Sequence, residues 1–214
     1  ADELEGKRLD SRMEDKMAYE AKNFEHLLGT SGFSDQLLKN HFTLYQGYVT
    51  NTNKLAEALA QMVKDGSTGT PEYAELKRRF GWEFNGMRLH EYYFGNMAKG
   101  GKALDKGSAF FKKLTEDFGS YENWEKDFKG TGMIRGIGWV VLYYDKMDNR
   151  LFNVWINEHD VSHLSGANPI LIMDVFEHAF MIDYGLKRAD YIEAFFRAID
   201  WSVVASRFDE ASKK

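Results

Sequence analysis

The chain has 214 residues, 43% hydrophobic and 15% aromatic, enough for one large domain or two small ones sharing a sizeable core. A formal net charge of -5 with no basic stripe argues against general nucleic-acid binding. No cysteine is present, which excludes disulfides, iron–sulfur clusters and thiolate zinc sites and leaves His, Asp, Glu or solvent oxygen to hold any metal. Residues 1–33 are charged and Gly-punctuated, and they read as an N-terminal arm with at most a short helical piece. The arm carries no signal-peptide core, and no run in the chain approaches the roughly 20 apolar residues that span a bilayer. A cytoplasmic protein with no membrane partner is therefore expected, although a chain that begins at Ala1 is compatible with a removed leader.

A helical hairpin is expected over 34–101. Ser34 is a suitable N-cap, and Leu37, Leu38, His41, Leu44, Tyr45, Tyr48, Val49, Thr52, Leu55 and Leu59 follow helical spacing behind it. Gly66-Ser-Thr-Gly-Thr70 interrupts that pattern. Thr70-Pro71-Glu72 then supplies a cap, a proline at the first helical position and an early acid for a second helix. Its apolar stripe contains Leu76, Phe80, Phe84, Met87, Phe94 and Met97, with His90 beside it. Two long helices joined so closely favour antiparallel packing.

Residues 102–214 form the second expected unit, an α/β half. Amphipathic segments near 104–118 and 121–129 precede an aromatic, β-branched run at 138–145, a turn at 147–150 and an alternating run at 151–156, which together suggest a β-hairpin. Asn168 to Asp174 reads as a buried third strand with its proline at the start. A final helix is expected from Asp190 onward, with Ile192, Phe195, Phe196, Ile199 and Val203 at helical spacing. The fold class is α+β: a long helical hairpin, then an α/β half with a small three-stranded antiparallel sheet.

Chemistry concentrates at the end of the third strand. Asp174 and His178 stand four residues apart after an almost wholly apolar run, where an ionised carboxylate is costly unless something compensates it. A metal ion does so economically, because an imidazole nearby can share it. A lone His on an apolar helix face is more often a satisfied core side chain than a ligand. His41 and His90, however, both lie in or beside the stripe that their helices bury, and antiparallel pairing can bring them together. Three imidazoles and one carboxylate suit Fe, Mn, Zn, Cu or Ni and disfavour Ca and Mg. Such a set leaves a divalent ion at +1. If a trivalent ion keeps a hydroxide where the divalent ion keeps a water, the charge is the same in both states, which favours coupled uptake of an electron and a proton.

These residues resemble the iron/manganese superoxide dismutase family. Asp174-Val-Phe-Glu-His-Ala-Phe-Met-Ile-Asp-Tyr184, Arg188-Ala-Asp-Tyr191 and Ile199-Asp-Trp201 resemble its C-terminal signature, Gly136-Ile-Gly-Trp139 its Gly-Ser-Gly-Trp motif, and His90-Glu-Tyr-Tyr-Phe94 its His-x-x-Tyr-Trp segment. The resemblance runs from about residue 35 to 205. It implies one Fe or Mn ion per subunit held by His41, His90, Asp174 and His178 with a solvent molecule as fifth ligand, and superoxide as substrate. It implies Tyr48 as a gateway tyrosine, Glu177 as a bridge to the ligand His of a twin subunit in a homodimer or homotetramer, and Arg188 near the substrate funnel. Gly86 stands where many iron forms carry a glutamine that donates to the solvent ligand; His159 takes that role by resemblance to forms that use histidine, with His163 the weaker candidate.

Several departures from the family pattern stand out. A His-His pair usual after the first ligand is replaced by Phe42-Thr-Leu-Tyr-Gln-Gly47. The His41–Tyr48 spacing is one residue shorter than usual, about 100° of helix, which calls for a backbone adjustment or the loss of a π-bulge. Met181 replaces a tyrosine of the cross-dimer network, while Phe94 and Phe176 replace tryptophans. Rival readings are another mononuclear non-haem metal enzyme, which needs open positions that a fourth protein ligand would fill, and a non-enzymatic helical interaction protein whose histidines are core. No pair of Glu-x-x-His repeats supports a di-iron bundle.

Overall fold

Two capped helices build the N-terminal half of the computed structural model, in which residues 18–213 are described. Residues 1–17 of the expected arm lie outside the described residues. Ser34 caps α1 (Asp35–Lys64), its hydroxyl accepting from the Leu37 amide at 3.1 Å. Thr70 caps α2 (Pro71–Gly95) in the same way, accepting from Tyr73 at 3.2 Å, with Pro71 opening the helix. The segment from Tyr19 to Phe33, with one 3-10 turn at Glu25–Leu27, straps along this hairpin. Tyr19 exchanges backbone hydrogen bonds with the Asn53 side chain, and Phe24, Leu27 and Phe33 are buried.

Helices α3 (Ala109–Phe118) and α4 (Tyr121–Gly132) follow, capped by Ser108 and Ser120. Strands β1 (Gly138–Asp145), β2 (Arg150–Asn157) and β3 (Asn168–Asp174) make one antiparallel sheet in the order β2-β1-β3. β1 is central and almost wholly buried, so it lacks the alternation of a half-exposed strand. Its register pairs Trp139 with Asp174 at one end of the sheet. The open side of β3 is met by Asn96, which follows α2: its amide accepts from the Ile172 N–H at 2.9 Å and donates to the Ile172 carbonyl at 3.2 Å, as a neighbouring strand would. That pairing docks the helical hairpin against the sheet.

The C-terminal region differs from the single helix expected after Asp190. A 3-10 turn (Glu177–Ala179) and short α5 (Met181–Tyr184) lead to α6 (Arg188–Ala198), and a separate α7 (Trp201–Ser212) follows. The chain breaks at Ile199, whose backbone is extended, because Asp200 caps α7 through the Ser202 and Val203 amides. Backbone bonds from Ala98 to Ala198 and from Lys102 to Ile199 hold the break open. Apolar spacing continues through it and so hides it. Likewise, the helix expected near 104–118 begins only at Ala109, where Ser108 offers a cap.

Candidate metal centre

Four side chains from four separate elements converge. His41 comes from the second turn of α1, His90 from the C-terminal part of α2, Asp174 from the end of β3 and His178 from the following 3-10 turn. One ligand atom from each lies within 4.8 Å of all the others. Donors bound to one ion at ~2.1 Å stand at most about 4.2 Å apart, so a small contraction would seat one cation among them.

The orientation of each group has a local cause. Asp174 closes an Asx turn: its Oδ1 accepts from the Phe176 amide at 2.8 Å, and that turn swings His178 back over the strand end. The other oxygen, Oδ2, lies 2.9 Å from His41 Nε2, 3.2 Å from His178 Nε2 and 3.6 Å from His90 Nε2. The Asp174 backbone is held as well, since the buried Tyr191 hydroxyl donates to its carbonyl at 2.6 Å, with Tyr93 2.9 Å behind. His90 is most telling. Its Nδ1 is 2.5 Å from the Gly86 carbonyl, which can only accept, so Nδ1 carries the hydrogen and Nε2 presents a lone pair. That Nε2 is buried and, among the described residues, has no hydrogen-bond partner. An orphaned acceptor aimed at a carboxylate and two imidazoles fits a cation ligand.

Electrostatics agree with this. Burial pushes the Asp174 carboxyl up, but electrostatic attraction and hydrogen bonding from the His178 and His41 imidazoles outweigh it and hold it well below the usual carboxylate range. Burial lowers His41, and lowers His90 further, so both favour the neutral form that binds metal.

Beside this cage stands a second cluster. The Trp139 indole N–H donates to His159 Nδ1 at 3.0 Å, so His159 carries its hydrogen on Nε2 and donates to the Tyr48 hydroxyl at 2.9 Å. Tyr48 stacks on His90 with ring centroids 5.4 Å apart. Its position depends on Gly86, because a Cβ there would lie 2.5 Å from the Tyr48 ring. A glutamine at 86 is therefore excluded unless Tyr48 moves.

Residues 106–207 match the family described as iron/manganese superoxide dismutases, C-terminal domain. The chain is 38% identical over 179 residues to superoxide dismutase (Mn) 2 of Haloferax volcanii, covering 83% of this chain and 88% of that one. It is 38% identical over 187 residues to superoxide dismutase (Fe) of Aquifex aeolicus, covering 85% and 87%. With superoxide dismutase (Fe) of Cupriavidus metallidurans the identity is 37% over 186 residues, covering 85% and 91%.

The chain belongs to the iron/manganese superoxide dismutase family. Within that frame, the short His41–Tyr48 spacing is accommodated without a bulge. α1 is continuous α-helix between them, and seven residues make nearly two whole turns, so both side chains face α2. His163 lies one step outside, bonded to Tyr143 and to the His159 carbonyl rather than to the cage. Arg188 donates to the Gly132, Ile134 and Gly136 carbonyls and lies over Phe180; among the described residues it has no contact with Tyr48 or His159. Glu177 is exposed beside His178.

Two contributors had no assigned role in the sequence reading. Trp139 was visible as a motif residue, but its indole bond to His159 depends on β1 and the loop after β2 being brought together. Trp82 packs its ring 4.7 Å from His159 and 5.4 Å from Tyr48, and donates to Glu158 at 2.9 Å across 76 residues. No local pattern announces it.

Proposed function

We propose that this chain is a superoxide dismutase that disproportionates superoxide to dioxygen and hydrogen peroxide, with one iron or manganese ion per subunit held by His41, His90, Asp174 and His178. The observation that carries this reading is the convergence of those four ligand atoms around the unpartnered, buried His90 Nε2. A bound iron or manganese ion would supply the one-electron couple that oxidises one superoxide and reduces a second.

The chain's own groups supply geometry and protons. Asp174 offsets positive charge in a site from which water is largely excluded. Reducing superoxide to hydrogen peroxide consumes two protons as well as an electron. Tyr48 is half-buried at the edge of the cage, and His159 donates to its oxygen, which leaves the phenolic hydrogen free to be given inward. Burial raises Tyr48 above the ordinary phenol range, so it stays protonated at neutral pH. Burial also lowers His159 to about 4, which keeps it neutral and able both to accept from Trp139 and to donate to Tyr48. Arg188 contributes a fixed positive charge that helps a small anion approach a chain of net charge -5.

A homodimer, or a tetramer built from it, completes this reading. His178 keeps 24% of its side chain exposed, next to exposed Glu177. Met181, Ile182 and Leu186 nearby are exposed at 38%, 55% and 91%, an apolar surface suited to a second copy. The test is reconstitution of metal-free protein with iron and with manganese separately, followed by superoxide-decay assay and elemental analysis. Activity with at least one metal, near one ion per subunit, is expected. Stoichiometric loading without activity in either form would overturn the assignment.

A further inference from the structure

The loop from Asn157 to His163 carries His159 and is folded against its own preference. Glu158 and Ser162 both adopt left-handed backbone conformations, with φ of 50° and 81°, which non-glycine residues rarely occupy. Such conformations persist only when the surroundings over-determine them. Trp82 holds Glu158 from α2, and the Glu158 amide donates to the Ile137 carbonyl at 3.2 Å. Those bonds fix the start of the loop. Asn157 and Val161 close it with a pair of backbone hydrogen bonds, and beyond them His163 ties its far end.

We propose that His163 is a positioning residue, a two-ended strut that ties the His159 backbone to Tyr143 of β1 and thereby aims the His159 ring at the Tyr48 hydroxyl. His163 Nε2 lies 2.7 Å from the His159 carbonyl, which only accepts, so Nε2 carries the hydrogen. Nδ1 is then an acceptor and takes the Tyr143 hydroxyl hydrogen at 2.7 Å. Tyr143 is buried in the central strand, which is paired with β2 on one side and β3 on the other, so the strut stands on the core of the sheet. Among the described residues, the His159 side chain itself is bonded only at its ring, to Trp139 and Tyr48. Without His163, the Asn157–Val161 bonds still close the loop, but the His159 carbonyl loses its tie to β1, and a 2.9 Å hydrogen bond weakens steeply once its length or angle changes.

The inference rests on the proposed role of His159, and the experiment separates the two. Metal-loaded wild type, His159→Ala, His163→Leu, His163→Gln and the double variant His159→Ala/His163→Leu are compared for turnover, the pH profile of turnover, and metal content. Glutamine can accept and donate at the same two ends, so His163→Gln is expected within about twofold of wild type. His163→Leu is expected to lose at least threefold and to shift the pH profile in the direction of His159→Ala, with metal content unchanged. The double variant is expected to be no worse than His159→Ala alone, because the strut has nothing left to aim. Should His163→Leu fail to fold, Tyr143→Phe cuts the other end of the strut and takes its place, with the same loss expected. If His159→Ala shifts the profile while the strut variants do not, or if the losses multiply in the double variant, the strut falls and His159 stands. If His159→Ala itself changes nothing, both fall.

Discussion

The metal cage and the cluster beside it are built on different principles. The cage takes its groups from the bodies of α1 and α2, from a strand end locked in register and from the short turn after it; His90 is aimed by one backbone bond, and Asp174 and His178 by the Asx turn. The Tyr48–His159 cluster takes one side chain from a helix and the other from a loop with two left-handed residues, held by distant partners. Rigid elements can set a ligand sphere through their own packing. A hydrogen-bond donor on a loop needs support from other elements. The cage should therefore fail all at once when touched, and the cluster should fail by degrees.

The largest effect is expected at the cage. Asp174→Ala removes the one buried carboxylate facing three imidazoles and should abolish metal loading and activity together. Chelation of the wild type should mimic it. If metal is present at a thousandfold over its dissociation constant, removal costs about 4 kcal/mol of stability, which differential scanning calorimetry would register as a lower midpoint. A variant that keeps both metal and turnover would show that the cage is not the site.

Next comes the cluster. His159→Ala should keep its metal and lose ~10–100-fold in turnover, the usual range for a group that orients a metal centre from one layer out. Elemental analysis beside a superoxide-decay assay separates the two regions: equal loss of metal and rate would place His159 in the cage after all. Gly86→Ala probes the seam between them. Its new methyl group meets the Tyr48 ring at 2.5 Å, so either ring or helix must shift, with a destabilisation of ~1–3 kcal/mol and a slower enzyme. An unchanged midpoint and rate would mean that the ring moves freely and that its stacking on His90 is incidental.

The same contrast explains what could be read from the chain. The cage was legible because its chemistry is written locally: a carboxylate and an imidazole four residues apart after an apolar run, and two histidines in stripes that helical spacing buries. The hairpin and sheet followed from caps and periodicity, since Ser34, Thr70 and Pro71 mark helix starts whatever surrounds them. The break at Ile199 was not legible. Apolar spacing continues across it, and what ends the helix is a capping aspartate together with backbone bonds to residues about a hundred positions earlier. Nor could spacing show that Tyr48 sits on Gly86, that Trp139 feeds His159, or that His163 braces the loop. Each depends on elements that meet only after folding. The short His41–Tyr48 interval left two readings open, a backbone adjustment or the loss of a π-bulge; a regular helix without a bulge satisfies it, because seven residues already return to nearly the same face.

The smallest effect concerns the protonation of the cluster, and it is visible only in acid. Burial lowers the His159 imidazole from an ordinary 6.5 to about 4. The unfolded chain therefore takes up a proton below about 6.5 that the folded chain refuses until near 4, and stability rises with pH wherever the unfolded state binds more protons. This contribution is complete above pH 6.5, is lost progressively as the pH falls toward 4, and changes no further below that. Glutamine at 159 has nothing to titrate. The stability difference between wild type and His159→Gln should accordingly move against the wild type by roughly 1 kcal/mol between pH 8 and pH 5.5, or about 2–4 °C in melting midpoint for a chain of this size. Both proteins carry the same cage, so its own acid sensitivity cancels in the difference. Parallel melting curves across that range would mean that His159 is open enough to solvent to titrate normally, and the neutral donor assigned to Tyr48 would lose its physical basis.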